Sequence, residues 1–435
     1  MEEKFSGKDE EEIRLMKILI LQNQGFLNSQ GGTEKMASFY ANSFSKLGHE
    51  VVIATNDPKD GKPIFPLEQK VRLVNLFHEG MDTIELEQPY TYKGRNPFRW
   101  IYFKAKKKGQ KWRNASLMRK RGMKNRDEVF LHNLQRRSKV WKPFFEQEKP
   151  DIILSMSIAT LLEITYSDAV AFPIINTVHG RPDYDYTDIL WYRSEQEMKL
   201  LKESYSKLDA VQVFFDNYKA FLPDNFKGLA RAIPNPIPQM DDLEIVDHLQ
   251  TKERYRIVHI GSLINAGKQQ ELAIQAFSEL AEQFPNWDLW LWGEGVDKAY
   301  LEEKIASLKL KDRVFVAGFT DKPMEKLQEA DIFVFPSKYE GFGLALGEAM
   351  TVGLPAIGLK DCSGVNELIQ HEKSGFLAAD GQEFKAYLGM LMGDRQLRDR
   401  LGKEAHEQMK AYKDSLVIAQ WEDFMDMVVN AHQKT

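Results

Sequence analysis

Two glutamates, Glu340 and Glu348, stand eight residues apart in the segment PSKYEGFGLALGEAM, which follows a short apolar run. The run predicts a strand, and the residues from Leu344 onward predict a helix. Gly341 and Gly343 would let backbone N–H groups approach a ligand closely, and the positive end of the helix favours a phosphate. Glu348, inside the helix, could accept hydrogen bonds from vicinal hydroxyls of a sugar or ribose. By its spacing alone, the segment fits such a site or a plain strand-to-helix turn with solvated acids.

Gly31 and Gly32 form a second candidate anion site, because they lie between a predicted strand and a predicted helix. The pattern is short, and a plain tight turn is its alternative. Gly293 begins a Gly-Glu-Gly triplet that is only a fragment of a dinucleotide fingerprint, so nicotinamide binding is not expected. His179 follows an apolar run at 174–178 and would project from a strand end, either toward a ligand or as a structural histidine.

These residues must be positioned by a fold in which short apolar runs alternate with helical or irregular stretches. Such alternation favours parallel sheets covered on both faces. The sequence therefore predicts an α/β fold of two doubly wound, Rossmann-like domains facing a cleft. The predicted strands are 17–22, 51–54, 71–76, 152–156, 174–178, 210–214, 257–260, 289–292, 314–316, 332–335 and 355–357, and the clearest helices are 33–47 and 269–283.

A proline-rich segment at 234–238 divides the chain, because three prolines in five residues form a stiff boundary. Ligands of open parallel sheets lie outside the carboxyl ends of the strands, so two such halves would enclose a substrate cleft. The expected organisation is a flexible acidic leader (1–15), a first domain (16–237) with a basic aromatic insertion (90–142), a second domain (238–412), and a C-terminal helix (413–435) that crosses back to the first domain.

Composition excludes several classes of protein. The 435 residues are 43% hydrophobic and 28% charged, as in folded globular proteins, which argues against disordered and fibrous classes. The single cysteine, Cys362, excludes an intramolecular disulfide and is expected to be a buried packing residue. The apolar stretch 152–162 is about half of the roughly 20 residues that a membrane span needs. We expect a cytoplasmic protein without a transmembrane segment.

A strongly basic stretch lies at 93–142, where 18 Lys or Arg residues stand against two acidic ones, so that the rest of the chain carries a net charge of −21. Aromatic residues are interleaved with the basic ones, including Phe98, Trp100 and Trp112. Such a stretch suits an anionic membrane surface, where basic residues are attracted and Trp and Tyr lie at the headgroup level. A solvated insertion without a partner is the main alternative, and nucleic-acid binding is not expected because no recognition motif is present.

A series of landmarks in the second half resembles the donor-binding half of retaining, family-four glycosyltransferases of the GT-B fold, the group 1 glycosyl transferases. The resemblance covers about 257–380, with looser matches at 17–47, 177–180 and 233–236. The landmarks, in the order typical of the family, are Gly261-Ser262 with Lys268, Gly293-Glu294-Gly295, Gly318-Phe319, the pair Glu340 and Glu348, Gly364 with Glu367, and Gly375-Phe376-Leu377.

The resemblance implies a role for each matching position. Lys268 would pair with the diphosphate of a nucleotide-sugar donor, Glu348 would hold the ribose hydroxyls, and Glu340 and His179 would contact the transferring sugar. Many relatives carry an arginine where this chain has Ser262, so one cationic contact to the diphosphate is missing or comes from elsewhere. The implied catalytic residues are Glu340, His179 and Lys268, and the implied donor-binding residues are Gly31, Gly32, Ser262, Lys268, Gly293, Phe319, Glu340, Phe342, Gly343, Leu344 and Glu348.

Metal dependence is not expected. No His or Cys cluster has the spacing of metal ligands. The triplet Asp183-Tyr184-Asp185 could be mistaken for the metal-binding acids of the other large glycosyltransferase fold, which would not have a second doubly wound half with the two-glutamate motif. The donor, a nucleotide sugar, is a substrate, and no separate cofactor is expected.

The expected activity is therefore transfer of a hexose or N-acetylhexosamine, with retention, from a nucleotide sugar to a hydroxyl of a glycan or lipid-linked saccharide in surface polysaccharide synthesis. The uridine base is expected on prior frequency alone, and the protein is expected on the inner face of the cell membrane. Two alternatives stay open: an epimerase or phosphorylase on the same scaffold, and a non-catalytic membrane or nucleic-acid adaptor.

Overall fold

The computed structural model describes residues 14–94, 96–190 and 193–434. It contains two open sheets, and the neighbouring strands of both sheets are parallel. The expected α/β architecture of two doubly wound halves is confirmed. The expected leader, 1–15, lies outside the described residues except for Arg14 and Leu15, which are both exposed.

The strands are β1 Lys17–Gln22, β2 Glu50–Thr55, β3 Arg72–Asn75, β4 Ile152–Ser155, β5 Ile174–Thr177, β6 Ala210–Val213, β7 Leu229–Ala232, β8 Tyr255–Ile260, β9 Trp287–Trp292, β10 Val314–Gly318, β11 Ile332–Phe335, β12 Ala356–Leu359 and β13 Gly375–Ala378. The α-helices are α1 Gly32–Lys46, α2 Pro97–Lys120, α3 Arg126–Ser138, α4 Trp141–Glu148, α5 Ile158–Thr165, α6 Glu195–Ser204, α7 Asn265–Lys268, α8 Gln270–Leu280, α9 Lys298–Ser307, α10 Pro323–Gln328, α11 Leu344–Thr351, α12 Val365–Leu368, α13 Gly381–Gly393, α14 Arg395–Met409 and α15 Asp414–His432. Short 3-10 helices lie at Glu79–Met81, Pro182–Tyr184, Asp188–Leu190, Tyr205–Lys207, Asp216–Phe221 and Lys410–Tyr412.

Each sheet has a point where the strand order reverses. The first sheet has the order β3-β2-β1-β4-β5-β6-β7, and the second has the order β10-β9-β8-β11-β12-β13. The reversal lies between β1 and β4 in the first sheet and between β8 and β11 in the second. Loops that leave neighbouring strands in opposite directions open a crevice at the carboxyl edge, so each half provides one crevice.

The central strands are apolar because helices cover both faces of each sheet. All four residues of β4, β6 and β11 are buried, and β1 is buried from its second residue onward. A strand that is buried on both faces needs apolar residues at consecutive positions rather than at alternate ones. This requirement accounts for the short continuous apolar runs of the sequence.

The last helix, α15, belongs to the core of the first half although it follows the second half in sequence. Val417, Trp421 and Met425 are fully buried and share a cluster with residues of α1 and the first sheet. The ring centroid of Trp421 lies 5.3 Å from that of Tyr40 on α1. The chain therefore passes between the halves twice.

The two crossings run side by side and are hydrogen-bonded to each other. The backbone N–H of Ile237, on the first crossing, donates to the carbonyl of Tyr412, on the second, at 2.8 Å. The side-chain amide of Gln239 also donates to the carbonyl of Met409 at 3.2 Å. These bonds hold the two crossings side by side.

The basic stretch contains two helices, α2 and α3, and a segment that packs along α2. We call residues 85–94 together with α2 the arm. The side chain of Asn114 on α2 is buried and accepts from the N–H of Glu87 at 3.0 Å, and the rings of Tyr92 and Phe103 stack with centroids 5.2 Å apart. The arm is thereby a packed unit of the first half.

The arm also reaches the second half. The hydroxyl of Tyr90 donates to Asp297 at 3.1 Å, and Tyr92 and Arg99 contact Glu303 on α9. Among the described residues, no helix has both the length and the apolar character that crossing a bilayer requires.

Candidate active site

The carboxyl edges of the two sheets face each other across a cleft of about 370 Å³, which we call the central cleft. The first half contributes the loop after β1, the end of β5 and the first crossing. The second half contributes the ends of β8 and β11 and the start of α11. The lining residues are Gln30, Gly31, Gly32, Thr33, His179, Phe214, Asn235, Ile260, Gly261, Ser262, Lys268, Phe335, Glu340, Gly341, Phe342, Gly343, Leu344 and Ala345.

The loop between β11 and α11 lies directly against the first half. A Cβ atom at Gly341 would clash with the carbonyl oxygen of His179, so only glycine permits this approach. The hydroxyl of Tyr218 donates to the carbonyl of Gly341 at 3.2 Å. Gly343, at the N-cap of α11, has φ +90°, which lies in the left-handed region that favours glycine. The positive end of α11 is thereby directed toward the cleft.

Phe342 anchors the same loop in an aromatic cluster shared by both halves. It is 3% exposed, and its ring centroid lies 5.3 Å from that of Phe214 and 5.5 Å from that of Phe215. Phe342 lines the cleft although its side chain is buried, and its expected part in donor binding stays a prediction. Apolar packing of this kind fixes the loop together with the hydrogen bond from Tyr218 to the Gly341 carbonyl.

Lys268 and Glu340 face each other in the central cleft. The ammonium group of Lys268 contacts the Glu340 carboxylate, and the two side chains are 22% and 17% exposed. The ammonium also lies 5.4 Å from the centroid of the Phe335 ring. Both groups can change partners when a charged ligand enters, because both are open to the cleft.

Glu348 lies one turn inside α11, beside the central cleft rather than in its lining. Its carboxylate contacts the ammonium group of Lys35, which comes from α1 in the first half. The side chain of Glu348 is 6% exposed and that of Lys35 is 34% exposed. This ion pair connects the two halves, and the sequence did not indicate Lys35 as a site residue.

The loop after β1 lies opposite the start of α11. Gly31 and Gly32 line the cleft at the N-terminus of α1, so two helix N-termini and their free backbone N–H groups converge there. Glu34 is buried behind this loop and accepts from Gln22 at 2.6 Å. The buried pair holds the glycines in place, and a Cβ at Gly31 would clash with the Glu34 carboxylate.

Ser262 lies at the end of β8, exposed to the cleft, and its carbonyl accepts from the side-chain amide of Gln270 at 2.8 Å. Gly293 lies behind it, with φ +142°, where a Cβ would clash with the carbonyl of Gly261. Gly293 therefore supports the cleft without lining it. Phe319 is 52% exposed and is not among the described residues that line the cleft, so the structure does not bring this expected donor-binding residue into it.

His179 lies where the central cleft meets a second cavity of about 290 Å³, which we call the side cavity. Its Nε2 lies 3.0 Å from the hydroxyl oxygen of Thr177, and burial lowers the pKa of the imidazole to about 4. The imidazole is therefore neutral near pH 7 and can donate or accept one hydrogen bond per nitrogen. The side cavity is lined by Thr33, Ser157, Ile158, Thr177, His179, Gly180, Arg181, Tyr184, Asp185, Leu190, Tyr339, Glu340 and Gly341.

Asn235 is a cleft residue that sequence reasoning did not single out. It is 3% exposed and accepts a hydrogen bond from the hydroxyl of Tyr40 at 3.2 Å. The signals in the sequence that could have indicated it are its place between Pro234 and Pro236 in a boundary segment and the looser family match at 233–236. Its side chain shows that the first crossing itself forms part of the cleft.

The acids of the triplet at 183–185 are each paired with an arginine. Asp183 accepts from Arg181 at 2.7 Å, and Asp185 lies 3.2 Å from Arg193. In the described part of the chain, no three His, Cys, Asp or Glu residues form a group that could hold a metal ion. Cys362 is 1% exposed, and burial raises the pKa of its thiol.

Comparison with known protein families gives one match, to the model described as glycosyl transferases group 1, over residues 241–408. The matched region contains Lys268, Glu340 and Glu348. An exopolysaccharide phosphotransferase of Streptomyces coelicolor is 30% identical over 229 residues, which are 51% of this chain and 24% of that protein. The chain thus spans about a quarter of the length of that curated relative.

Comparison with solved structures extends the likeness to both halves. Sucrose-phosphate synthase from Thermosynechococcus elongatus superposes with a TM-score of 0.70 over 96% of this chain and 100% of that chain, at 19% identity. The pneumococcal O-GlcNAc transferase GtfA, in complex with UDP and GlcNAc, gives 0.68 over 96% of this chain and 99% of that chain, at 12% identity. At this identity the likeness shows the fold, so the expected GT-B architecture is confirmed.

Proposed function

Because residues 241–408 match the group 1 glycosyl transferases and both halves have the GT-B fold, we propose that this protein is a retaining glycosyltransferase. It transfers a hexose or N-acetylhexosamine from a nucleotide sugar to a hydroxyl of a glycan or lipid-linked saccharide. The observation that supports this proposal most directly is the convergence of Lys268, Glu340 and two helix N-termini in one cleft between the halves. Fold alone would not support a function, but these groups suit a sugar diphosphate.

The donor binds with its diphosphate between the start of α11 and the glycine loop of the first half. Lys268 and the backbone N–H groups at Phe342, Gly343 and Leu344 bind the phosphate oxygens. Glu348 accepts hydrogen bonds from the ribose hydroxyls, and Glu340 contacts the transferring sugar. Each contact uses a group that lies in the cleft or directly beside it.

The reaction breaks the bond between the anomeric carbon and the leaving phosphate, so negative charge grows on the diphosphate. Lys268 and the helix N-terminus stabilise that charge, which is the largest electrostatic change of the step. The leaving phosphate accepts the proton of the acceptor hydroxyl, and attack from the same face retains the anomeric configuration. No carboxylate is assigned as a covalent nucleophile.

His179 positions the transferring sugar through a hydrogen bond from its neutral imidazole. Its place between the central cleft and the side cavity supports this role, because the reacting carbon must lie between donor and acceptor. The side cavity, which is lined mostly by the first half, then holds the acceptor. Its tyrosine, arginine and aspartate side chains suit a hydroxyl-rich ligand.

Uridine diphosphate is the proposed carrier of the sugar. The support is that the pneumococcal O-GlcNAc transferase of the same fold was solved with UDP. The exopolysaccharide enzyme of Streptomyces coelicolor supports an acceptor from surface polysaccharide synthesis. The specific sugar is left to the binding experiment.

Helix α2 docks the protein onto the inner face of an anionic membrane, where a lipid-linked acceptor is found. Its outer face exposes large apolar residues together with lysines: Trp100 is 47% exposed, Ile101 60% and Trp112 68%. Exposed apolar side chains with surrounding basic residues are typical of an interfacial helix.

A thermal-shift experiment tests the donor site. A panel of UDP-, GDP- and ADP-hexoses is added to the wild type, and we expect one of them to stabilise it by about 2.7 kcal/mol at 100 times its dissociation constant. Glu348→Ala should lose most of that shift, because the ribose hydroxyls lose their acceptor. Glu325→Ala, which removes an exposed carboxylate on α10, is the matched control and should keep it.

Product chemistry tests the reaction. With the stabilising donor and a lipid-linked saccharide, NMR of the product should show the anomeric configuration of the donor, and a chelator should not abolish the transfer. A wild type that no nucleotide sugar stabilises would contradict the proposal, and an inverted product would contradict the retaining mechanism.

A further inference from the structure

Lys35 stands in an unusual position for a surface lysine. It lies in the first turns of α1, directly behind the Gly31-Gly32 loop, and its backbone N–H donates to the carbonyl of Gly31 at 3.1 Å. Its ammonium group crosses from the first half to the second half and contacts Glu348. Among the side-chain hydrogen bonds and ion pairs of the described residues, this is the contact that the Glu348 carboxylate makes.

The central cleft carries little positive charge for a site that binds a diphosphate. Among the described residues that line it, Lys268 is the only lysine or arginine, and Glu340 neutralises it. Position 262, at the end of β8, is a serine with no charge to contribute. A diphosphate with two negative charges therefore needs a second cation from outside the lining residues.

Lys35 and the ribose of a bound donor would compete for the carboxylate of Glu348. The Lys35 ammonium contacts Oε1 of the carboxylate that the proposed function assigns to the ribose hydroxyls, so hydroxyls that bind both carboxylate oxygens compete with it. When two hydroxyls take that carboxylate, the Lys35 ammonium loses its partner at the edge of the cleft. A lysine has a flexible four-carbon stem and three donors, so its charge can move to a new acceptor close by.

We propose that Lys35 is the second cation of the donor diphosphate, supplied by the first half and released from Glu348 when the ribose binds. This inference rests on the proposed function and adds a residue to it. In this arrangement Lys35, from the first half, provides the cationic contact to the diphosphate that Ser262 of the second half does not provide. Donor binding then requires both halves, because each contributes one cation.

The test compares Lys35→Gln with the wild type, using isothermal titration with UDP, UMP and uridine. GDP and ADP, with their mono- and unphosphorylated forms, replace this set if the wild type prefers another base. We expect Lys35→Gln to weaken the nucleoside diphosphate roughly 10- to 100-fold, the value of a charge-assisted hydrogen bond. Nucleoside affinity should stay equal or rise, because Glu348 becomes free.

The matched control is Lys46→Gln, which removes a lysine of the same helix that also forms an ion pair, with Glu68 at 3.2 Å. It should leave all three affinities unchanged. Adding Ser262→Arg to Lys35→Gln should restore much of the diphosphate affinity, because the new guanidinium lies at the end of β8. Rescue by this arginine is not expected if Lys35 only holds the halves together.

The outcomes separate the two proposals. If the wild type binds no nucleoside diphosphate, the proposed function fails. If the wild type binds one and Lys35→Gln lowers diphosphate and nucleoside affinity by the same factor, or lowers neither, the Lys35 inference fails while the donor site stands. A selective loss for the diphosphate, restored by Ser262→Arg, supports the inference.

Discussion

Glycine at position 341 allows the loop between β11 and α11 to touch the first half. The carbonyl of His179 occupies the space that a side chain at this position would need, so the loop and the histidine are placed relative to each other by direct backbone contact. His179 and Gly341 line both cavities, so a change at this contact alters both.

Gly341→Ala should therefore move the loop away from His179. We expect a destabilisation of about 1 to 3 kcal/mol from overpacking and at least a tenfold loss of nucleotide-sugar affinity, because the N-terminus of α11 shifts with the loop. Urea unfolding and calorimetric titration measure the two effects.

Gly267→Ala is the matched control. Gly267 lies in α7, next to Lys268, with no heavy atom within 4 Å of the position of an added Cβ. This substitution should leave stability and affinity close to those of the wild type. Equal effects of the two substitutions would contradict the importance of the contact between Gly341 and His179.

Individual site residues could be predicted where one segment contains the whole signal. Glu340, Gly343 and Lys268 line the cleft between the halves, where the segment around Glu340 and the family resemblance led us to expect them, and their roles in binding stay predictions. Lys35 and Asn235 could not be found in this way, because each acquires its place only when the two halves meet. A lysine in the first turns of an amphipathic helix gives no sign in sequence that its partner is more than 300 residues away.

At the scale of elements, α2 has one face that packs against the rest of the arm and one face that is exposed. Phe103, Gln110 and Asn114 face the packed segment of the arm, whereas Lys104, Lys108 and Trp112 are exposed. A soluble helix that only covered the first half would not need large exposed aromatic residues on its outer face. The outer face therefore carries the proposed membrane contact.

Replacing Lys104, Lys106, Lys108 and Lys111 by glutamine tests that contact. Each lysine near an anionic bilayer contributes about 1 kcal/mol, so we expect binding to vesicles with anionic lipid to weaken at least about 100-fold. Sedimentation with vesicles at low salt gives the bound fraction, and raising the salt should reduce the binding of the wild type.

Four exposed lysines of the second half, Lys309, Lys311, Lys322 and Lys403, provide a control with the same change of charge. Their replacement by glutamine should have a much smaller effect on vesicle binding. A wild type that stays in the supernatant with anionic vesicles would contradict the membrane proposal. An equal loss in both variants would show that net charge, rather than α2, determines the binding.

The apolar central strands could be predicted, whereas β7 and β13 could not. β7 is an edge strand with the sequence LARA and has no buried residue, so it lacks the continuous apolar run that identified the others. β13, with the sequence GFLA, begins with a glycine and is also at an edge. β3 and β10 are edge strands as well and were predicted, so the reason lies in the sequences: an arginine interrupts LARA, and GFLA has only three apolar residues after its glycine, which is a weak pattern.

At the scale of the whole molecule, two histidines make stability depend on pH: His259, which is fully buried, and His179, which is partly buried beside the cleft. Burial lowers the pKa of both His179 and His259 to about 4. The Nδ1 of His259 lies 3.0 Å from the carbonyl of Val334, to which it donates, and its Nε2 lies 3.3 Å from the Gln270 amide, from which it accepts. The second bond requires the neutral imidazole, because a protonated Nε2 could not accept from the amide.

The unfolded chain takes up a proton on each histidine below about pH 6.5, whereas the folded protein does so only near pH 4. Their contribution to stability is therefore complete above pH 6.5 and is lost as the pH falls toward 4. For one histidine the free energy of unfolding should fall by about 2 kcal/mol between pH 7 and pH 5.

Urea unfolding at several pH values measures this loss, and His259→Asn isolates one of the two residues. The variant should be less stable at pH 7. Between pH 7 and pH 5, however, its free energy of unfolding should fall less steeply, because its unfolding takes up about one proton fewer per molecule near pH 5. Parallel curves for variant and wild type would show that His259 is protonated in the folded protein as easily as in the unfolded one.

The paired crossings at Ile237 and Tyr412 determine how the molecule can deform. Two segments of chain that are hydrogen-bonded to each other should resist sliding or twisting of one half past the other more than a single segment would. The gap between the halves should therefore change most on the side away from these two segments. Residues of the two halves that face each other across the central cleft should therefore meet in the same register each time the halves approach each other.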